Sequence, residues 1–304
     1  MRERLYHLLR SRLSQERRLA LKKRLAYERR RLAPVLRAVH GQFGAAELIA
    51  ELDRRVPADA EIVMVHCSIN DLHPTFTGSA RDLLDALVDW TAPARTLVMP
   101  AFFFGGPAGD PAAYYRERPS FDARRTPSEM GLLSELFRRR PGVLRSLHPT
   151  TSVCALGPLA QELTSGHERA PSTYGEGTPF ATMAARRTAI VGIGTEYFRC
   201  LTQVHAAEDL LGERFPVALR TGRVPVTLTA EDGSLHEYAL AVNEAPAGRR
   251  LELLERLMSA QELLRWRFHG VPLFVTSAGR VTEVLVAAAQ RGETIYEEAP
   301  IRAR

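Results

Sequence analysis

The strongest constraint in this chain is a repeated alternation. EIVMVHCSI, RTLVMPAFFF, TSVCAL and RTAIVGIG are short, continuous apolar runs rich in β-branched residues. A strand of that kind is buried on both faces, so it belongs inside a sheet covered by helices on each side. Between these runs lie ARDLLDALVDWTA, TPSEMGLLSELFRRR and GPLAQELTSGH, where apolar residues return every three or four positions. The alternation predicts an α/β protein, a three-layer α/β/α arrangement with a mixed, mostly parallel sheet. VPVTLTAEDGSLHEYAL surrounds an Asp232-Gly233 turn and predicts an added antiparallel hairpin. ELLERLMSAQELLRW reads as one helix, and VPLFVTSAGRVTEVLVAAAQRG as a closing strand and helix. The segment from Pro107 to Arg125 reads as a long polar connection, of the kind that often carries function.

The 304 residues are 45% hydrophobic and 25% charged, which suits a folded core and excludes collagen, disulfide scaffolds and wholesale disorder. No apolar run reaches about 18 residues, so no transmembrane segment is expected. The first residues do not resemble a secretory leader. Cys67, Cys154 and Cys200 are widely spaced and odd in number, which fits reduced thiols in a cytoplasmic protein and no zinc site. The net charge of +6 is unevenly spread: residues 1–44 carry 13 basic and 3 acidic side chains, and the remainder is net −4. Residues 1–40 read as a helix of leucines and arginines interrupted near Pro34. We therefore expect a basic helical extension, 1–44, before a main domain, 45–304. The extension suits either contact with nucleic acid, anionic lipid or a partner helix, or packing on the body with a solvated charged face. No aromatic interleaving accompanies the charge, which favours packing, and nucleic acid is not an expected partner.

Four places hold residues with chemistry. In Thr202-Gln203-Val204-His205-Ala206-Ala207-Glu208-Asp209, Thr202 is the expected N-cap and Gly212 the terminator of a short helix. His205 would then sit in the first turn, with Glu208 and Asp209 beside it on the helix surface. The helix dipole would keep the imidazole neutral while a carboxylate would stabilise the imidazolium, a setting for general-base work. The plainer alternative is a surface histidine with ordinary charged neighbours. His66-Cys67-Ser68 ends a strand, where ligand sites of α/β sheets lie, but no Gly-x-Ser-x-Gly elbow frames it. Arg124 and Arg125 precede Thr126-Pro127-Ser128-Glu129-Met130-Gly131, which reads as a capped helix start and an anion site. Arg145-Ser146-Leu147-His148-Pro149 is a second basic, hydroxyl-bearing loop. For both loops the alternative is plain solvation. Gly192-Ile193-Gly194 lacks the third glycine of a dinucleotide fingerprint, since Tyr197 stands there.

Taken together these segments resemble the aminoglycoside 3-N-acetyltransferase family. The resemblance runs from about residue 45 to 215 through VMVHCSI, RTLVMPAF, FDARRTPSEMGLLSELFRRRPGVLRSLHPTTSVCALGPLAQELTSGH, YGEGTPF, AIVGIGTEYF and LTQVHAAEDLLGERF. It implies an acetyl-CoA-dependent N-acetyltransferase in which an amine of an aminoglycoside or related amino sugar attacks the thioester directly. The Thr-x-x-His-x-x-Glu motif implies His205 as base and Glu208 as its support. The other motifs imply a coenzyme A cleft of His66, Ser68, Thr126, Ser128, Met130, Gly131, Arg145, Ser146 and His148. A cationic acceptor calls for acidic residues, and Asp209, Glu213 and Asp110 are the candidates, with Glu117 and Glu196 as further ones. The expected partners are a small-molecule amine, coenzyme A and, as an assembly, a homodimer. Cys67 stands where the family often has serine, and the glycine-rich turn after it is replaced by Asn70-Asp71-Leu72 and Thr77-Gly78-Ser79. Three other readings remain: a biosynthetic acyltransferase with a different acceptor, a non-catalytic basic adaptor, and a thioester hydrolase using Ser68 or Cys67. The extension lies outside the resemblance and is expected to be dispensable for transfer.

Overall fold

The structure is a computed structural model that describes residues 15–217, 220–244 and 249–296. In chain order the strands are β1 (Ile62–Cys67), β2 (Thr96–Pro100), β3 (Ser120–Asp122), β4 (Leu144–Arg145), β5 (Val153–Leu156), β6 (Thr188–Ile193), β7 (Arg220–Thr229), β8 (Leu235–Glu244), β9 (Leu263–Phe268) and β10 (Val271–Ser277). Seven of them form one sheet in the order β4-β5-β2-β1-β6-β10-β9. Within this sheet, among the described residues, parallel pairing is confined to β2, β1 and β6 at the centre. The pairings outside them are antiparallel. The sheet is thus mixed, as expected, with a smaller parallel share than the alternation suggests.

Side chains on β1 alternate between the two faces of the sheet. Ile62 and Met64 enter one core with Phe180, Phe274 and the helix Ala278–Gln290. Val63 and Val65 enter the other with Leu48, Leu83, Leu87 and Phe137. All four strand residues are at most 1% exposed. That double burial is the physical content of the continuous apolar run, and it gives the three layers. β7 and β8 form the expected hairpin, and β3 adds to β7 in a separate three-stranded sheet. This smaller sheet packs through Phe121, Val224, Val226 and Leu228 onto Phe103 and Tyr115.

Local signals failed at several helix boundaries. The helix expected from Thr126 begins at Leu132, after Gly131 at φ 111°. Thr126 Oγ1 accepts from Asp122 N at 3.1 Å, and the Glu129 carboxylate takes the Phe104 amide instead of closing a capping box. Thr202 caps nothing: Thr202–His205 is a 3-10 turn that passes into the helix Ala206–Leu211, which does end at Gly212. ELLERLMSAQELLRW splits into a helix, Glu252–Leu257, and the edge strand β9. The break comes at Ser259, whose amide bonds Glu262 Oε2 at 2.7 Å and whose carbonyl accepts from Leu263 N at 3.0 Å. The long polar connection contains a helix, Pro111–Glu117, and β3. Asp110 Oδ1 caps that helix through Ala113 N at 2.9 Å, with Pro111 in the first turn.

Gly192 illustrates how tightly the centre is built. It pairs with Phe274 of β10, whose ring lies over it so closely that an added Cβ would stand 1.9 Å from Cε1. Gly192 is therefore a packing glycine. We predict that Gly192→Ala lowers stability by about 1–3 kcal/mol, the usual cost of overpacking a core, read as a fall in Tm on thermal unfolding.

Candidate active site

His205 stands at the junction of the 3-10 turn and the helix Ala206–Leu211, and is 8% exposed. Its Nδ1 lies 2.8 Å from Glu208 Oε1. The Tyr296 hydroxyl donates to the same oxygen at 2.7 Å. A carboxylate that accepts from Nδ1 places the proton there and leaves Nε2 with its lone pair. The arrangement is the imidazole–carboxylate pair that a general base requires. The Tyr174 ring packs beside the imidazole at 5.2 Å between centroids. Asp209 Oδ2 accepts the Tyr174 amide at 2.7 Å and so holds that ring in place. Burial raises the Asp209 carboxyl above its usual range and Glu208 adds to the rise, while the Tyr174 amide opposes it. Burial, together with Glu208, also pushes the Tyr174 and Tyr296 hydroxyls up, so both stay protonated donors near neutral pH.

A cavity of about 310 Å³ opens beyond the carboxyl ends of the three parallel strands, where α/β sheets bind ligands. His66 and Ser68 come from the end of β1, Pro100 from β2 and Thr195 from just after β6. Met130 and Gly131 close another wall. Four of the sequence candidates, His66, Ser68, Met130 and Gly131, thus meet in one place. Ser128 is buried next to them, its Oγ accepting from Met130 N at 3.3 Å. His66 is 3% exposed, and burial lowers its pKa to about 4. Its Nδ1 is buried with no hydrogen-bond partner among the described residues.

Arg145, Ser146 and His148 have a different setting. Arg145 is 6% exposed and donates to Ala123 O at 3.1 Å, Thr126 O at 2.5 Å, Ala101 O at 2.8 Å and Ser152 Oγ at 2.9 Å. Its guanidinium also lies over the Phe121 ring at 4.9 Å. The arginine ties three chain segments together, and burial draws its pKa down to about 10. Ser146 Oγ accepts from Val153 N and pairs with His167 Nδ1, both at 2.9 Å. His148 Nδ1 accepts from Thr151 N at 3.0 Å, and its ring stacks on His167 at 4.5 Å. Thr126 is bound to Asp122, and Arg124 and Arg125 are exposed beside it. The capped anion site read from this segment is not formed. Among the acidic candidates, Asp209 reaches the His205 neighbourhood, Asp110 caps its own helix, Glu213 is exposed after Gly212, and Glu196 pairs with Arg267 at 3.6 Å.

Sequence reasoning assigned no role to Tyr174 or Tyr296. Tyr174 lay in a quoted segment, YGEGTPF, whose tyrosine could have been flagged. Tyr296 stands 88 residues from its partner in no motif, and only the fold reveals it.

The aminoglycoside 3-N-acetyltransferase family model matches residues 64–289. Aminoglycoside N(3)-acetyltransferase IX of Micromonospora chalcea is 28% identical over 169 residues, 52% of this chain and 59% of that protein. Aminoglycoside N(3)-acetyltransferase VII of Streptomyces paromomycinus is 27% identical over 246 residues, 74% of this chain and 84% of that protein. A solved structure described as AAC-IIIb binary with CoASH has the same fold, with a TM-score of 0.66, 22% identity and coverage of 84% of this chain and 99% of that one. The family match identifies an acyltransferase. The chain belongs to the aminoglycoside 3-N-acetyltransferase family, whose co-substrate is acetyl-CoA. Among the described residues no helix is long and apolar enough to cross a membrane.

The buried histidines make stability depend on pH. Burial holds His66 and His167 at about 4 and His148 well below 6.5. The unfolded chain binds protons at these residues before the folded chain does, so stability is complete above pH ~6.5 and falls toward pH ~4, by about 1.4 kcal/mol per pH unit for each group. We predict that unfolding free energy declines between pH 7 and pH 5 by about this slope, and that His167→Gln flattens it. A pH-independent midpoint in urea would contradict the buried neutral state.

Proposed function

We propose that the protein transfers the acetyl group of acetyl-CoA to an amine of an aminoglycoside or a related amino sugar or natural-product amine, in the cytoplasm, by direct attack on the thioester. The observation that carries this reading is the His205–Glu208–Tyr296 constellation. A protonated amine is not nucleophilic, so a proton must leave it before or during attack. Nε2 of His205 takes it, and Glu208 stabilises the imidazolium that results. The amine nitrogen bonds to the carbonyl carbon and the carbon–sulfur bond breaks; the imidazolium proton passes to the leaving thiolate, and the second proton that the nitrogen loses as the amide forms goes to solvent. Tyr296 holds Glu208 and limits its rotation. The cavity at the carboxyl ends of β1, β2 and β6 is the proposed seat of the coenzyme, with His66, Ser68, Ser128, Met130 and Gly131 around it; Arg145, Ser146 and His148 support that wall from behind. Asp209, whose carboxylate holds Tyr174 beside the base, supports an acceptor subsite there.

The hydrolase alternative has less support. The Ser68 hydroxyl donates to Asp71 Oδ2 at 2.6 Å and to no histidine. Burial pushes the Cys67 thiol far up, which removes its thiolate. We predict thiol release from acetyl-CoA only when an amine acceptor is supplied; equal release without any amine would favour hydrolysis. His205→Asn should lower kcat by about 10²–10⁴-fold, the worth of a general base, with coenzyme binding retained in a calorimetric titration. Glu208→Gln should cause a smaller loss and Tyr296→Phe a smaller one still. Near-normal turnover by His205→Asn would remove the base assignment.

A further inference from the structure

The basic extension reaches the rim of the proposed coenzyme cavity. Arg29, in the helix Gln15–Arg31, spans 42 residues of sequence to meet Asp71. Its Nη1 donates to Asp71 Oδ1 at 3.1 Å and its Nη2 to the Asp71 carbonyl at 2.8 Å. The other carboxylate oxygen of Asp71 accepts the Ser68 hydroxyl and lies 3.6 Å from Arg199 Nη1. Ser68, Asn70 and Arg199 all line the cavity. The next helix, Ala33–His40, grips the same loop through Arg37 Nε and the Pro74 carbonyl at 2.9 Å. Two guanidinium groups therefore converge on one carboxylate beside the cavity, and each side chain is 36% exposed.

This placement gives the extension's charge a purpose. Arg29 lies before residue 64, where the family match begins. The rest of the chain, 45–304, is net −4, which on balance disfavours a polyphosphorylated ligand, whereas Arg29 brings a positive charge of the extension to the rim. A guanidinium has five N–H donors, and Asp71 takes two from Arg29. A planar fork held by a carboxylate on one side is pre-organised to bind phosphate on the other. We infer that Arg29, together with Arg199, binds the phosphate groups of acetyl-CoA at the mouth of this cavity, so that the N-terminal helix is part of the coenzyme site. The inference rests on the reading that the coenzyme occupies this cavity, and it reverses the expectation that the extension is dispensable.

The test is calorimetric titration of the full chain, Arg29→Gln and Arg29→Lys with coenzyme A and with pantetheine, which has no phosphate, at low and high salt. Arg29→Gln should bind coenzyme A about tenfold more weakly at low salt, equivalent to losing about 1.4 kcal/mol. Pantetheine affinity should be equal in all three proteins. Arg29→Lys should recover part of the loss, and the difference should shrink in high salt as the charges are screened. Unchanged coenzyme A affinity in Arg29→Gln overturns the inference while leaving the cavity reading intact. So does an equal loss for pantetheine, which would show that Arg29 acts only through the loop. A wild-type chain that binds neither ligand overturns the cavity reading as well.

Discussion

Arg145 is buried with its charge, and its hydrogen bonds run to three carbonyls and one hydroxyl. Removing a guanidinium from water is costly unless its donors are satisfied, and here the carbonyls of Ala101, Ala123 and Thr126 and the Ser152 hydroxyl do so. In return those segments are fixed: Ala101 follows β2, Ala123 follows β3, and Thr126 leads toward Met130 and Gly131 in the cavity wall. The loop that lines the cavity, the small satellite sheet and the end of a central strand are thereby positioned by one side chain. The same logic explains Ser146, His148 and His167. These are polar groups whose burial demands partners, and the partners are the loops they organise.

A run of ring contacts links this scaffold to the His205–Glu208 pair. Tyr238 of β8 meets His148, His148 stacks on His167, His167 meets Phe180, Phe180 meets Tyr174, and Tyr174 packs on His205. Each contact is short-range packing, and close-packed interiors transmit displacement with little slack. The His205 ring is thus held from one side by an aromatic wall and from the other by Glu208 and Tyr296. The setting of this imidazole is tied to a hairpin residue, Tyr238, and to Tyr296, which belong to no motif.

Much of the site was legible as residue identity and little of it as geometry. The spacing from His205 to Glu208 is short enough that one turn of helix brings them together, whether the turn begins as 3-10 or α. His66 and Ser68 were legible because strand ends in parallel sheets converge on one edge. Thr126 and Thr202 misled because capping patterns report only local preference. At Thr126 the competing partner, Asp122, lies four residues back in β3, and that strand exists only because β7 pairs with it. Arg145 is a different case: an arginine in a loop looks solvated until the carbonyls that enclose it are in place.

The sequence by itself determined the alternation of buried strands and amphipathic helices, the hairpin, the charge asymmetry of the extension and the residue types of the proposed base and its support. These follow from periodicity and composition, which act over a few neighbours. The tertiary structure decided the sheet order, the break of one periodic stretch into a helix and an edge strand, the burial of Arg145, the contact of Tyr296 with Glu208 and the approach of Arg29 to Asp71. Each depends on pairing groups far apart in the chain, in competition with local alternatives. Only the folded arrangement sets which partner is nearer and which buried group must be satisfied.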